Sequence, residues 1–287
     1  MRKPFMVAVL VATHNRASLL RGFLAALARS EGLGEIKLSA YIVDDRSTDT
    51  TADVVHAAAQ TAPFPIRYIN ALGRGKSKAL NQGLGAVPRT TDFVLFTDDD
   101  CVPQPDWVIK AVTALQRDKD IGLVGGRVDI YDRRDFAPGF TTDVAVLTEL
   151  CSGADYFETT IMGANMAARY AALSDVGGFD TRLGPGTRLG VGAEDFDLVY
   201  RIIAHGWRVV FDPSPTILHH HGRRTAKQIN RAFAVYDVGA GAILAKFGRS
   251  DPEVRRRMWW RIRKAVKQRQ FARVAHMFRG LCFRVGP

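Results

Sequence analysis

Three consecutive aspartates, Asp98, Asp99 and Asp100, follow directly on the apolar run 93–96. A buried strand that ends in carboxylates presents oxygen ligands at the rim of a sheet. Hard divalent cations such as Mg²⁺ or Mn²⁺ take such ligands, usually together with substrate phosphates. A second acidic cluster, Glu194, Asp195 and Asp197, and a histidine run, His219, His220 and His221, lie further along the chain. Together these groups point to a metal–phosphate site with a separate base. Alone, the triplet would serve equally as a solvated turn, and the Glu194–Asp195 pair as a favourable helix N-terminus.

The elements that must position these groups are visible in the apolar periodicity. Runs 7–11, 41–43, 66–69 and 93–97 read as buried strands, with helical patterns over 19–27, 54–58 and 76–86 between them. This alternation predicts an α/β fold, Rossmann-like, with a mostly parallel sheet and helices on both faces. In such sheets ligands collect beyond the carboxyl ends of the strands. Thr13–His14–Asn15, Asp44–Asp45 and Asp98–Asp99–Asp100 all follow strand ends, so they should converge on one crevice. Ser47, Thr48 and Asp49 supply N-cap candidates for the second helix. The second half is less regular. It offers a strand at 163–167, a short helix to Val176, a helix over 194–204 and two short strands, 207–211 and 216–218. Residues 128–160 show no clear period, and the glycine-rich stretch 181–192 reads as a flexible loop.

Composition bounds the class. With 287 residues, 47% hydrophobic and 24% charged, the chain can bury a substantial core. No apolar run is long enough to span a bilayer, and stretch 6–12 is too short for a signal-peptide core. Cys101, Cys151 and Cys282 lie far apart without paired spacing, which suits reduced thiols and a cytoplasmic protein. The net charge of +11 is uneven. Residues 223–287 carry 17 Lys+Arg against 3 Asp+Glu, or +14, leaving 23 against 26, or −3, for residues 1–222. The sequence therefore divides into a nearly neutral body, 1–222, and a basic helical extension, 223–287, that calls for an anionic partner.

Within the extension, Ser250–Asp251–Pro252–Glu253 is a helix-start signal with Ser250 as the capping residue and Glu253 three positions on. Val254, Met258, Ile262, Ala265 and Val266 form one apolar stripe flanked by Trp259. Phe271, Val274, Ala275 and Phe278 form a second, out of phase, with a bend near 268–270. Two readings stand: docking of 250–287 on an anionic membrane surface, or packing against the body with the arginines solvated. No nucleic-acid recognition motif accompanies the charge.

The ordered series Asn15–Arg16, Val43 to Asp49, Phe96 to Asp100, Gly163–Ala164–Asn165, Val176 to Asp180 and Glu194 to Leu198 resembles the family 2 glycosyltransferases over residues 5–222. The resemblance implies the GT-A nucleotide-sugar-binding fold. It implies that Asp44 or Asp45 faces the nucleoside of a nucleotide-diphosphate-sugar donor, with Thr13 at the base pocket. Arg16, Asp99 and Glu194 join them as substrate-binding positions, and Lys76 would meet the diphosphate. Asp98 and Asp100 correspond to the ends of an Asp-x-Asp motif that holds Mg or Mn. His219 matches a histidine that some members place on the metal, with His221 as the alternate. Asp195 corresponds to the catalytic base, and Asn165 and Gly163 to the acceptor side. The function implied is inverting, metal-dependent transfer of a sugar to an acceptor hydroxyl, in polysaccharide or glycolipid synthesis at the cytoplasmic membrane face. The alternatives are a nucleotidyltransferase, or an inactive membrane-associated binding protein of the same fold.

Overall fold

The structure, a computed structural model, describes residues 3–136, 145–158, 161–187 and 191–283. Four parallel strands form its first half: β1 (Phe5–Thr13), β2 (Ile36–Asp44), β3 (Ile66–Asn70) and β4 (Phe93–Thr97). Between them run α1 (Ala17–Leu27), α2 (Thr51–Thr61) and α3 (Lys76–Ala86). Successive strand residues face opposite ways. Val9, Ile42 and Leu95 pack under α1, α2 and, further on, α4 (Trp107–Gln116). Their neighbours Leu10, Tyr41 and Phe96 pack under α3, α5 (Tyr170–Val176) and α6 (Glu194–Ala204). Helices thus cover both faces, as the alternation predicts.

The second half adds β5 (Cys101–Pro103), β6 (Ile121–Ile130), β7 (Thr148–Leu150), β8 (Asn165–Arg169) and β9 (Arg208–His219). The order is β3-β2-β1-β4-β8-β6-β9-β5, with β7 also on β9. β8 runs antiparallel to both its neighbours, while β6 and β9 are parallel. Two readings of the sequence change here. Segments 207–211 and 216–218 belong to one strand, whose pairing with β6 shifts register between Gly125 and Arg127 and so accommodates Pro213 and Pro215. β6 itself escaped the pattern because its glycines serve close approach. A Cβ on Gly122 would meet Trp207 at 2.7 Å, one on Gly125 would meet Ile161 at 2.5 Å, and one on Gly126 would meet Asn165 at 2.4 Å. Of the irregular stretch 128–160, residues 137–144 and 159–160 lie outside the described residues.

The extension is helical: α7 (Ala226–Phe247), α8 (Pro252–Lys267) and α9 (Phe271–Leu281). The N-cap of α8 is Asp251, not Ser250. Its carboxylate accepts from Glu253 N at 2.8 Å and Val254 N at 3.1 Å. The bend falls where expected, with Arg269 in the left-handed region at φ 55°. The first stripe is partitioned. Val254, Met258, Ile262 and Ala265 are buried against α7 and α9, while Val266 stays exposed. Phe271 and Phe278 of the second stripe also face outward, because α9 packs through Met277 and Gly280 instead. α7 and α9 approach so closely that a Cβ on Gly280 would lie 2.1 Å from Val238 O. Gly280→Ala should therefore part the helices and cost about 1–3 kcal/mol, read as a lower melting temperature with α9 cut first in limited proteolysis.

Candidate active site

β1 and β2 end in register, Thr13 opposite Asp44, and the turns beyond them are laced together. Asn15 N donates to Ser47 Oγ at 2.8 Å, and Thr48 N to Asn15 Oδ1 at 2.7 Å. Asp49 accepts from Ala17 N and Thr51 N, so one carboxylate caps two helices. Asn15 (φ 53°) and Arg46 (φ 65°) sit here in the left-handed region, a strain that concentrates at functional sites. Asp44 is spent on the fold: it accepts from Ser47 N and Tyr68 Oη, each at 2.7 Å. Asp45 accepts from Gly75 N at 2.9 Å through Oδ2, and its buried Oδ1 has no hydrogen-bond partner. Of the two, Asp45 keeps acceptor capacity.

The three aspartates after β4 point three ways. Asp98 Oδ1 lies 2.5 Å from Lys76 Nζ, and that ammonium also sits 3.5 Å from Glu194 Oε1. Asp99 turns inward, accepting from the buried Thr13 hydroxyl at 2.7 Å, while Arg16 Nη1 bridges Asp99 at 3.0 Å and Asp100 at 2.9 Å. Burial pushes the Asp99 carboxyl up to about 6, against Arg16, with Asp100 adding to the rise. Asp100 Oδ1 faces His219 Nε2 at 3.0 Å. The pairing of β5 with β9 sets this contact, because Cys101 lies opposite His219 and His220 N donates to Asp100 O at 2.9 Å. Burial would raise the Asp100 carboxyl, but His219, Arg16 and Lys76 hold it below the usual carboxylate range.

Asp100 Oδ1 and His219 Nε2 approach without hydrogen-bond geometry, and the buried oxygen has no other partner. Two ligands about 2.1 Å from one octahedral ion are separated by about 3.0 Å, so a carboxylate oxygen and an imidazole nitrogen at this spacing fit a shared divalent cation. Cys101 completes the one group of potential metal ligands found among the described residues, though its thiol is pushed well up by burial and by Asp98 and Asp100. The His221 ring lies 3.8 Å from that of His219, on the same side of the chain, and His220 stacks on Tyr131 instead.

Asp195 occupies the first turn of α6, two residues after Ala193, whose φ of 80° turns the chain sharply into the helix. Its Oδ2 accepts from Gly163 N at 3.0 Å and its Oδ1 from Phe196 N at 2.8 Å. Burial pushes its neighbour Glu194 up to about 7, against Lys76, with Asp195 adding to the rise. Lys76 therefore joins the triplet after β4 to the acidic turn of α6, two clusters 96 positions apart in sequence when counted from Asp98 to Glu194. The described part of the glycine-rich stretch is pinned against the same corner. Lys76 N donates to Pro185 O at 3.0 Å, and Ser77 Oγ to Leu183 O at 2.7 Å. Its residues 188–190 lie outside the described residues.

Sequence reasoning missed two parts of this arrangement. Asn165 is a structural joint: its amide accepts from Trp107 Nε1 and donates to Arg127 O and Pro215 O. Gly163 is the residue that meets Asp195, and a Cβ there would stand 3.2 Å from the carboxylate. The order of the motifs flagged both residues, but only the fold separates their parts.

Comparison with known proteins returns one family. A model described as "Glycosyltransferase like family 2" matches residues 4–237. The probable glycosyltransferase YdaM of Bacillus subtilis is 27% identical over 219 residues, covering 72% of this chain and 49% of that protein. The chain spans about half the length of the curated relatives it matches. Among solved structures, a mannosyltransferase from Pyrobaculum calidifontis in complex with GDP-Man and Mn²⁺ superposes with a TM-score of 0.57 at 21% identity, covering 96% of this chain and 69% of its own. S. aureus TarS 1–349 in complex with UDP-GlcNAc gives 0.61 at 17% identity, covering 85% and 71%.

Proposed function

The chain belongs to glycosyltransferase family 2, and on that footing we propose that it moves a sugar from a nucleotide-diphosphate donor to an acceptor hydroxyl with inversion at the anomeric carbon. The observation that carries the reading is the Lys76 bridge, which puts the donor-side aspartates and the acidic turn of α6 around one cation. The nucleoside lies over the ends of β1 and β2, where Asp45 Oδ1 offers the unspent acceptor. Arg16 and Lys76 take the diphosphate. Asp100 and His219, with Asp98, would hold a Mg²⁺ or Mn²⁺ ion, which when bound would offset charge on the departing diphosphate. Asp195 accepts the acceptor hydroxyl's proton as that oxygen bonds to the anomeric carbon and the bond to the nucleoside diphosphate breaks. Thr13 acts one step back by fixing Asp99.

The catalytic groups lie in 1–222, and the basic extension 223–287 braces α6 through Lys246 and serves location. Trp259, Trp260, Phe271 and Phe278 are exposed among arginines and lysines, which favours a peripheral position on an anionic membrane face. No helix of the described residues is long and apolar enough to cross a membrane. The matching test is release of nucleoside diphosphate from UDP- and GDP-sugars by the purified chain. Turnover should require added Mn²⁺ or Mg²⁺ and fall at least tenfold on chelation. Pyrophosphate release from a nucleoside triphosphate would instead support a nucleotidyltransferase.

A further inference from the structure

Beyond the donor crevice, α8 and α9 enclose a second concavity of about 440 Å³. Arg257, Arg261, Lys264 and Gln268 fall on one face of α8, at steps of four, three and four residues, and all line it. α9 faces them with Gln270, Arg273 and Met277. Arg256 and Trp260 stand on the α8 side, and Trp260 is 59% exposed. No acidic residue is among the described residues that line the cavity.

Five cations thus share one small volume. Among the carboxylates that meet them from outside are Glu253 on Arg256 and Arg257, Asp155 on Arg257, and buried Asp237 on Arg273 through two bonds of 2.7 and 2.8 Å. Five like charges gathered in one recess repel, and solvent screens them less there than on an open surface. Burial and Arg273 lower the Arg261 guanidinium below its ordinary value, with Asp237 opposing. The salt bridge to Asp237 also locks Arg273 in place, so the recess is preformed.

We propose that this recess binds a phosphate-class oxyanion, a phosphomonoester or pyrophosphate group. Arginine forks and amide donors are matched to tetrahedral oxyanions, and the volume lies in the range of small-ligand sites. The anion can come from a lipid headgroup, which the exposed Trp260 at the mouth would accompany into the interface, or from a soluble phosphate. The inference does not depend on the sugar-transfer reading, since none of its residues belongs to the donor crevice.

The test uses the full chain, in chelator so that divalent cations are absent. Two double variants remove the same charge: Arg261→Gln with Lys264→Gln inside the recess, and Arg263→Gln with Lys267→Gln on the same helix outside it. Inorganic pyrophosphate, titrated calorimetrically, should bind the inside pair at least tenfold more weakly than wild type and the outside pair within about twofold. Should Arg261→Gln fail to fold, Lys264→Gln alone carries the comparison, because its side chain is exposed. Flotation with phosphatidylcholine vesicles, with and without phosphatidic acid, separates the sources. Binding that needs phosphatidic acid and is lost in the inside pair assigns a headgroup, whereas vesicle binding equal in both pairs assigns a soluble anion. Equal pyrophosphate affinity in wild type and both pairs would overturn the site.

Discussion

Asp195→Asn should lower sugar transfer by about 10²–10⁴-fold while leaving the dissociation constant of the donor within a few fold. The substitution keeps size and removes the ability to take a proton. It disturbs one hydrogen bond, since the amide can accept from Gly163 N or Phe196 N but not from both as the carboxylate does. Glu194 is the competing base, because burial brings its carboxyl to about 7, close to working pH. Geometry separates the two. Glu194 is buried and directed at Lys76, whereas Asp195 is partly exposed on the first turn of the helix. Glu194→Gln is therefore expected to act through Lys76, raising KM for the donor more than it lowers kcat. Asp195→Asn should show the reverse split. Steady-state kinetics on both variants, with donor affinity measured separately, decides the matter. A kcat for Asp195→Asn near that of wild type removes it as the base.

The strand-end half of the candidate site was legible because its signals are local. A buried strand followed by acids reads the same in sequence and in structure, and β1 to β4 lie where the apolar runs place them. The second half of the chain was not, because its determinants are contacts. The three glycines of β6 make that strand resemble a loop, yet each is required by a neighbour distant in sequence, such as Trp207 or Ile161. Pro213 and Pro215 suggest a break in β9, which the register shift absorbs. α7 carries little amphipathic contrast because its glycines and alanines face both α6 and α9, so periodicity gave it no outline. The same holds for polar groups. Asp44 and Asp45 are equivalent as letters, and only Tyr68 and Ser47, arriving from other segments, show that Asp44 is occupied. For the extension, charge called for an anionic partner, but the direction of its apolar stripe depended on α7 and α9 already being in place.

Lys246→Met should destabilise the chain by about 3 kcal/mol, the lower end of what breaking a buried ion pair costs. Lys246, near the end of α7, donates to Asp180 Oδ2 at 2.7 Å and to Asp197 Oδ1. Asp197 is fully buried in α6, two residues after Asp195, and its other oxygen takes Arg201 at 2.8 Å. Burial would raise the Asp180 carboxyl, but hydrogen bonds from Arg182 and Lys246 hold it below the ordinary range. Methionine fills most of the lysine's volume and leaves two carboxylates to share two arginines, which is why the expected cost stays at the lower end. A loss of that size is a large fraction of the roughly 5–15 kcal/mol that holds a domain folded. Adding Asp197→Asn should restore part of the loss, because one of the two buried carboxylates that lost the ammonium is then neutral. A coupling energy of at least about 1 kcal/mol in the double-mutant cycle, read from denaturant unfolding, is the expected signature. Strict additivity would show that Lys246 acts only through its packing. The site should register the change as well. Asp195 is carried on the turn that Asp197 anchors, so kcat should fall in Lys246→Met at temperatures where the protein remains folded. KM for the donor should hold, because Arg16, Asp45 and Asp100 stand on the opposite, strand-borne side of the crevice. Unchanged kcat in a folded Lys246→Met protein would mean that the extension stabilises the fold without positioning the base.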